Sequence, residues 1–175
     1  RMSVAVAIIG VLAWFLLDVL ERELQRAEER AANMVLSQLK VALVIRGAEA
    51  MLSRRENLED QEGINPFRLV EHQWPNYEGL CANGKPMPGD WCFSVREQKE
   101  TVIRPKGWLI YNPGRPITLD KRQVAPGEPL AWKVMTEFAD RNGNGMREQE
   151  ERLTGLELIP VSLTEDPSRT QDARR

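Results

Sequence analysis

The first twenty positions of the chain form one dense apolar block. The run from Met2 to Leu17 contains no charged residue, and two further apolar residues follow Asp18. As a helix with a rise of about 1.5 Å per residue, the block extended to Leu20 would reach roughly 25 to 30 Å, about the thickness of the hydrocarbon core of a bilayer. The pattern predicts a transmembrane anchor over residues 1–20, with a cleaved signal peptide and a buried core helix as the alternatives.

Residues 21–55 continue the anchor as a predicted amphipathic helix. Apolar residues recur there at steps of three and four, at Leu24, Ala27, Ala31, Val35, Leu39, Ala42, Ile45 and Leu52. One helix of about fifty residues is far longer than the usual globular helix, so it needs a partner surface. This stripe can pack on the chain's own C-terminal body, or its membrane-proximal half can pack against other helices in an assembly. The candidate assembly face comprises Leu24, Ala27, Ala31, Val35 and Leu39.

Beyond the helix, the pattern changes to that of a small antiparallel sheet. Residues 56–73 form a connecting loop, because Gly63 and Pro66 interrupt the helical spacing. Residues 74–163 alternate Pro and Gly with short strand-like runs: WCFSV, TVIR, WLIY, AWKVMTEF and LELIPVSL. We therefore expect an α+β fold, with the long N-terminal helix packed on an antiparallel β-sheet domain. The tail, 164–175, is almost free of apolar residues and is expected to be disordered.

Charge and motif content exclude several functions. The 24 Lys and Arg residues against 26 Asp and Glu residues leave a formal net charge of -2, which provides no basic field for nucleic acid. The chain has one histidine, His72, and it contains no GxSxG, Walker or GxGxxG arrangement. We therefore expect a non-catalytic protein without a small-molecule substrate, and we interpret His72 as a loop or packing residue.

Cys81 and Cys92 are the only two cysteines, too few for a zinc site in a chain with one histidine. Between them, Asn83-Gly84 and Pro88-Gly89 predict turns that let the two cysteines meet across a hairpin. We expect a disulfide, worth about 3 kcal/mol in the chain-entropy model, rather than two buried thiols. Disulfides persist outside the cytosol, which favours an exported body. The arginines that follow the apolar run would favour the opposite orientation under the positive-inside rule.

The segment Asp140 to Glu151 has the spacing of a twelve-residue calcium loop. Positions 1, 3 and 5 carry oxygen ligands, position 6 is Gly145 for the sharp turn, and position 12 is a glutamate that can chelate with both oxygens. The candidate ligands are Asp140, Asn142, Asn144, the Met146 carbonyl, Glu148 and Glu151. This loop resembles those of EF-hand and dockerin proteins over these twelve residues. We expect a weak structural Ca²⁺ site, with a dissociation constant of about 0.1 to 1 mM; a solvated Asn-Gly turn is the alternative.

The apolar span, long helix and small sheet together resemble the architecture of type IV pilins and pseudopilins. Within that class, the chain is similar over about residues 20–112 to the minor-pilin-like proteins of MSHA-type pilus biogenesis, the MSHA biogenesis protein F type. The segments that carry the similarity after the helix are Asn65-Pro66, the turn from Pro75 to Gly79, and the strand from Pro88 to Phe93.

The resemblance implies a non-catalytic subunit or accessory of a bacterial type IV pilus or related type II secretion filament. It would sit in the inner membrane by a single span, with its C-terminal domain in the periplasm or on the filament. Its partners would be other pilin-like or pilus-assembly membrane proteins. The alternative function is a membrane-tethered periplasmic binding module, stabilised by calcium and unrelated to pili.

Overall fold

The structure, a computed structural model, describes residues 2–53, 56–72, 74–82, 84–97, 105–148 and 151–163. Within these ranges, the side chains of residues 2–5, 7 and 97 are outside the description. The run TVIR, predicted as a strand, and the tail 164–175, predicted to be disordered, both lie outside the described residues.

The described chain forms one long helix, two 3₁₀ helices and seven strands. The helix α1 spans Met2–Leu52, and the 3₁₀ helices span Leu58–Gln61 and Pro66–Leu69. The strands are β1 (Tyr77–Leu80), β2 (Trp91–Glu97), β3 (Lys106–Tyr111), β4 (Ile117–Leu119), β5 (Arg122–Val124), β6 (Leu130–Phe138) and β7 (Leu153–Val161). We refer to everything after α1 as the body.

Five strands form a main sheet in the order β1-β2-β3-β6-β7, and β4 and β5 form a separate hairpin. The predicted α+β class is confirmed, but the prediction of a purely antiparallel sheet is wrong, because β1 pairs parallel to β2. The β4–β5 turn holds Asp120 and Lys121 at φ angles of 50° and 65°. Two successive positive φ angles are typical of the tight two-residue hairpin turn.

One face of α1 packs on the main sheet and supplies the centre of the core. The residues on this face are Ala32, Val35, Leu36, Leu39, Leu43 and Ala50, all buried. Near its end, the helix comes so close to β7 that a side chain on Gly47 would lie 3.1 Å from the backbone nitrogen of Leu156. Five members of the predicted stripe are instead exposed: Leu24, Ala27, Ala31, Ile45 and Leu52. The buried face is therefore rotated relative to the stripe read from the sequence.

The three short segments that carry the pilin resemblance meet in one aromatic cluster. The ring of Phe67, just after Asn65-Pro66, stacks on Tyr77 at 4.1 Å between centroids. Trp91 contacts Phe67 edge-on at 6.2 Å and tilts against Trp132 at 5.6 Å. The Asn65 amide joins the cluster by donating a 2.6 Å hydrogen bond to the Tyr77 hydroxyl. These segments thus act together in packing the second 3₁₀ helix onto the sheet.

The predicted disulfide between Cys81 and Cys92 is confirmed, with Cα atoms 5.1 Å apart. The hairpin expected between the two cysteines is wrong, since the strands on either side of the connection run parallel. The connection passes beside Asn112, just after β3, and contains Gly84 and Gly89, whose φ angles are +81° and +89°. Such angles are accessible to glycine at no steric cost, which is why a short connection can make this reversal.

Candidate functional site

The N-terminal part of α1 exposes apolar side chains on every side of the helix. Consecutive large residues from Val11 to Leu20 remain exposed, including Trp14 at 70% and Leu17 at 65%. Among the side chains that are described, the body buries none from Val6 to Leu20, in contrast to the core-helix alternative. Among the described residues, no helix meets the combined length and hydropathy of a membrane span. The side chains of residues 1–5 and 7, which belong to the predicted anchor, are outside the description.

The candidate assembly face divides into two parts. Leu24, Ala27 and Ala31 are exposed, so they remain available to a partner. Val35 and Leu39 are buried beneath the chain's own sheet, at 5% and 0% exposure. The two alternatives considered for this stripe therefore apply to different residues. Val35 and Leu39 belong to the core, and any assembly contact must use other positions of the helix.

Glu28 ties the helix to the body near the point where the body begins to cover α1. Its carboxylate accepts hydrogen bonds from the Tyr111 hydroxyl at 3.0 Å and the Gly114 backbone at 2.7 Å, and it pairs with Arg115 at 3.3 Å. Burial, together with the negative charge of Glu28, raises the pKa of Tyr111. The hydroxyl therefore stays protonated and keeps donating to Glu28.

A second set of polar contacts attaches the β4–β5 hairpin to the next turns of α1. Glu29 accepts a 2.8 Å hydrogen bond from the Thr118 backbone, and the Asn33 amide donates to the Thr118 carbonyl at 2.9 Å. Farther along, Lys40 pairs with Asp120 at 3.0 Å. These contacts, like those of Glu28, join residues eighty or more positions apart, so sequence spacing offered no signal for them.

The candidate calcium loop connects β6 to β7 and is organised by its own side chains. The two carboxylate oxygens of Asp140 accept from the Gly143 and Gly145 backbones at 2.7 and 2.8 Å. The side-chain oxygens of Asn142 and Asn144 accept from backbone groups two residues on, at 3.0 and 2.7 Å. The hydrogen bond from Gly145, followed by that from Gly143, lowers the pKa of Asp140.

The second half of the loop brings Glu148 and Glu151 to the same turn. The Asn142 and Asn144 amides donate to one oxygen of Glu148 at 3.0 and 3.1 Å. Glu151 is buried and uses both oxygens to accept from the backbones of Arg141 and Glu148, at 3.0 and 3.1 Å. The Met146 side chain is exposed. Five predicted side-chain ligands are thus joined in one hydrogen-bonded unit.

The donor chemistry of this loop is all oxygen, the class that a hard cation such as Ca²⁺ takes. Within the ranges that the structure describes, no group of three or more His, Cys, Asp or Glu side chains is arranged to hold a metal ion. Arg147, at the loop position where paired EF-hands carry an apolar residue, forms an ion pair with Glu59 in the first 3₁₀ helix. Sequence reasoning missed this contact, which connects the loop to the segment that follows α1.

His72, interpreted as a loop or packing residue, is an exposed residue in a bend. His72 contacts Trp74 edge-on, with ring centroids 5.0 Å apart.

Comparison of the chain with models of protein families, with curated proteins and with solved structures finds no match.

Proposed function

We propose that this protein is a non-catalytic, membrane-anchored subunit or accessory of a bacterial type IV pilus or related type II secretion filament. The observation that carries the proposal is the division of α1: the body covers one face from Ala32 onward, while the large apolar side chains described between Val6 and Leu20 are exposed on all sides of the helix. A helix that is hydrophobic on all sides is stable only in a membrane or among other apolar helices. In a pilin-like subunit, the helix would anchor the protein in the membrane and would also contact other helices in the assembly.

Two further observations support the proposal. The apolar block of residues 2–20, in which Asp18 is the one charged residue, is roughly 28 Å long as a helix, close to the thickness of the hydrocarbon core, and α1 continues from it without interruption into the amphipathic part. The Cys81–Cys92 disulfide fits an exported body, because such bonds persist outside the cytosol. On this proposal the protein sits in the inner membrane by residues 1–20 and contacts other pilin-like or pilus-assembly proteins.

Topology is tested by fusing alkaline phosphatase after Leu163 of the full chain. The fusion should be active, because that enzyme folds only outside the cytosol, and alkylation of Cys81 and Cys92 should require prior reduction. An inactive fusion together with freely alkylated cysteines would contradict the exported body.

Participation in a filament is tested by deleting the gene in its own host. Surface filaments or filament-dependent secretion should be lost, and the wild-type gene should restore them. Complementation with Leu17→Asp, which places a charge in the exposed apolar part of α1, should fail. Complementation with Arg26→Gln, a change at an exposed and already polar position, should succeed. Filaments unaffected by the deletion would contradict the proposal.

A second candidate function is a membrane-tethered binding module, stabilised by calcium and unrelated to pili. The observation that favours it is the loop Asp140 to Glu151, in which Asp140, Asn142 and Asn144 all present oxygens to one tight turn. A cation held there would be coordinated by these three residues, the Met146 carbonyl, Glu148 and Glu151, and would join the ends of β6 and β7.

Calcium titration of the full chain tests that site. At about ten times its dissociation constant, calcium should stabilise the folded state by roughly 1.4 kcal/mol and raise the melting temperature. Asp140→Ala and Glu151→Gln should each abolish the response, whereas Arg122→Gln, on the separate hairpin, should keep it. Magnesium should substitute poorly, since it demands a smaller octahedral site. Identical melting curves in several millimolar calcium and in excess chelator would identify the segment as an Asn-Gly turn.

A further inference from the structure

The side of α1 that faces away from the sheet carries a strict heptad pattern. Counting from Leu24 in alternating steps of three and four, nine consecutive positions up to Leu52 contain no charged residue. The large ones are Leu24, Met34, Val41, Ile45 and Leu52, which are 43% to 86% exposed. The small ones are Ala27, Ala31 and Ala48, also exposed. The ninth is Gln38. We call these nine positions the seam.

The seam is separate from the surface that α1 uses for its own body. An α-helix turns by about 100° per residue. The buried residues Leu36, Leu39 and Leu43 therefore lie on average roughly 150° around the helix axis from the centre of the seam. Two grooves, of 590 and 640 Å³, border the seam where α1 faces the segment from Leu69 to Pro75. A helix laid on the seam would therefore lie in these grooves, with the main sheet on the far side of α1 and the body segment that lines the grooves beside it.

We infer that the seam binds the same seam of a second copy of this chain, in a parallel and in-register helix pair. Apolar residues at alternating three- and four-residue steps, sustained over four heptads, are the pattern of a two-stranded coiled coil. With on the order of 100 Å² exposed on each large side chain, the seam and its flanking Val44 and Met51 offer about 700 to 800 Å² per copy. That area matches one side of a standard stable interface.

Gln38 favours an identical partner. It is the one seam residue with a polar side chain, and in a symmetric pair it would face the Gln38 amide of the other copy, so that the two amides hydrogen-bond to each other. A single polar residue at such a position specifies register and oligomeric state at a cost in stability. An unrelated apolar helix would leave this amide without a partner.

The parallel direction follows from the part of α1 that precedes the seam. The same heptad steps continue backward through Leu20, Leu17, Ala13 and Gly10. In a parallel pair these positions also meet, so the exposed apolar parts of both copies cover each other. In an antiparallel pair they would project uncovered from opposite ends. The inference rests on the proposed function only for the attachment of the chain to a membrane; it holds with or without a role in pili, since it concerns how two copies of the chain associate.

Disulfide trapping of the full-length chain in membranes tests this pair, with the native Cys81–Cys92 bond left intact. Ala27→Cys places a thiol in the seam, and Arg26→Cys places one at the neighbouring exposed position outside it. Mild oxidation should link Ala27→Cys into a dimer of twice the chain mass and leave Arg26→Cys monomeric. Adding Ala31→Glu to Ala27→Cys should abolish the dimer, while the melting temperature of the body stays unchanged because Ala31 is exposed.

Direction and register are tested by mixing chains that carry Ala27→Cys with chains that carry Ile45→Cys. The parallel pair predicts only like-with-like products. Mixed products without like-with-like ones would show an antiparallel pair, and a product of a different mass would show that another protein occupies the seam. Equal linking of Ala27→Cys and Arg26→Cys, or no linking of either, would also overturn the inference. Gln38→Leu should increase the dimer fraction at fixed protein concentration; a decrease would contradict the role given to Gln38.

Discussion

The two parts of α1, residues 2–20 and 21–52, form one continuous backbone, yet their apolar side chains have opposite surroundings. Leu17 in the first part is 65% exposed, whereas Leu39 in the second part is fully buried. In the second part, apolar and charged residues lie on different faces: an apolar face packs on the sheet, and charged residues such as Glu29 and Lys40 lie beside it. The first part has no polar face, because it carries apolar residues on all sides of the helix. The comparison shows that a helix buries only the surface for which its own body provides a cover.

Energetics explain why the first part needs an environment outside this chain. Fully burying a Leu, Ile, Val or Phe side chain is worth roughly 1.5 to 3 kcal/mol. Between Val6 and Leu20 the chain leaves many such side chains exposed, an unusually large apolar surface for a soluble domain. A membrane or neighbouring helices would recover that free energy. The same kind of change should therefore have different effects in the two parts of α1.

The largest difference is expected from the same substitution in each part. Leu39→Asp buries an unpaired charge and deletes core packing, so it should cost more than about 4 kcal/mol and unfold the body. Leu17→Asp should leave the body folded and reduce its retention in membranes after alkaline extraction. Denaturant unfolding, followed by the fluorescence of the buried Trp91 and Trp132, measures the first effect. Equal destabilisation by both substitutions would mean that the body covers the first part after all.

Removal of the disulfide should affect the body alone, with an intermediate effect. Cys81→Ala combined with Cys92→Ala should lower the free energy of unfolding by about 3 kcal/mol, because the unfolded chain regains the freedom of the closed loop. Membrane retention, which the proposed function assigns to residues 1–20, should not change. Reduction of the wild-type protein provides the control and should reproduce the loss. Identical unfolding midpoints for oxidised and reduced protein would contradict this prediction.

The smallest difference is expected from two glycines of the same helix. A Cβ atom on Gly47 would lie 3.1 Å from the Leu156 nitrogen and 3.4 Å from the Gly155 Cα, so β7 must shift to admit it. Gly47→Ala should cost about 1 to 3 kcal/mol through this overpacking, partly offset by improved helix propensity. Gly10 has no atom within 4 Å of the same position, so Gly10→Ala should leave unfolding of the body unchanged. A more stable Gly47→Ala protein would rule out the close packing of α1 on β7.

Sequence reasoning combined two different stripes of α1 into one candidate face. Leu24, Ala27 and Ala31 belong to the exposed seam, while Val35 and Leu39 belong to the buried face. The combination arose because both stripes have spacings of three and four, and such spacing does not show which stripe the body will cover. The calcium-loop residues were easier to group from the sequence, since all of them lie within one stretch of twelve positions.

Local patterns in the sequence are sufficient to predict the long helix, the α+β class and the disulfide. Helix periodicity, strand alternation and turn dipeptides act over a few residues, so each can be read where it stands. The parallel pairing of β1, the salt bridge between Arg147 and Glu59, and the contacts of Glu28 depend on segments far apart in the chain. Such contacts form because the body as a whole excludes water and satisfies its buried polar groups, and no local pattern encodes which distant partners will meet.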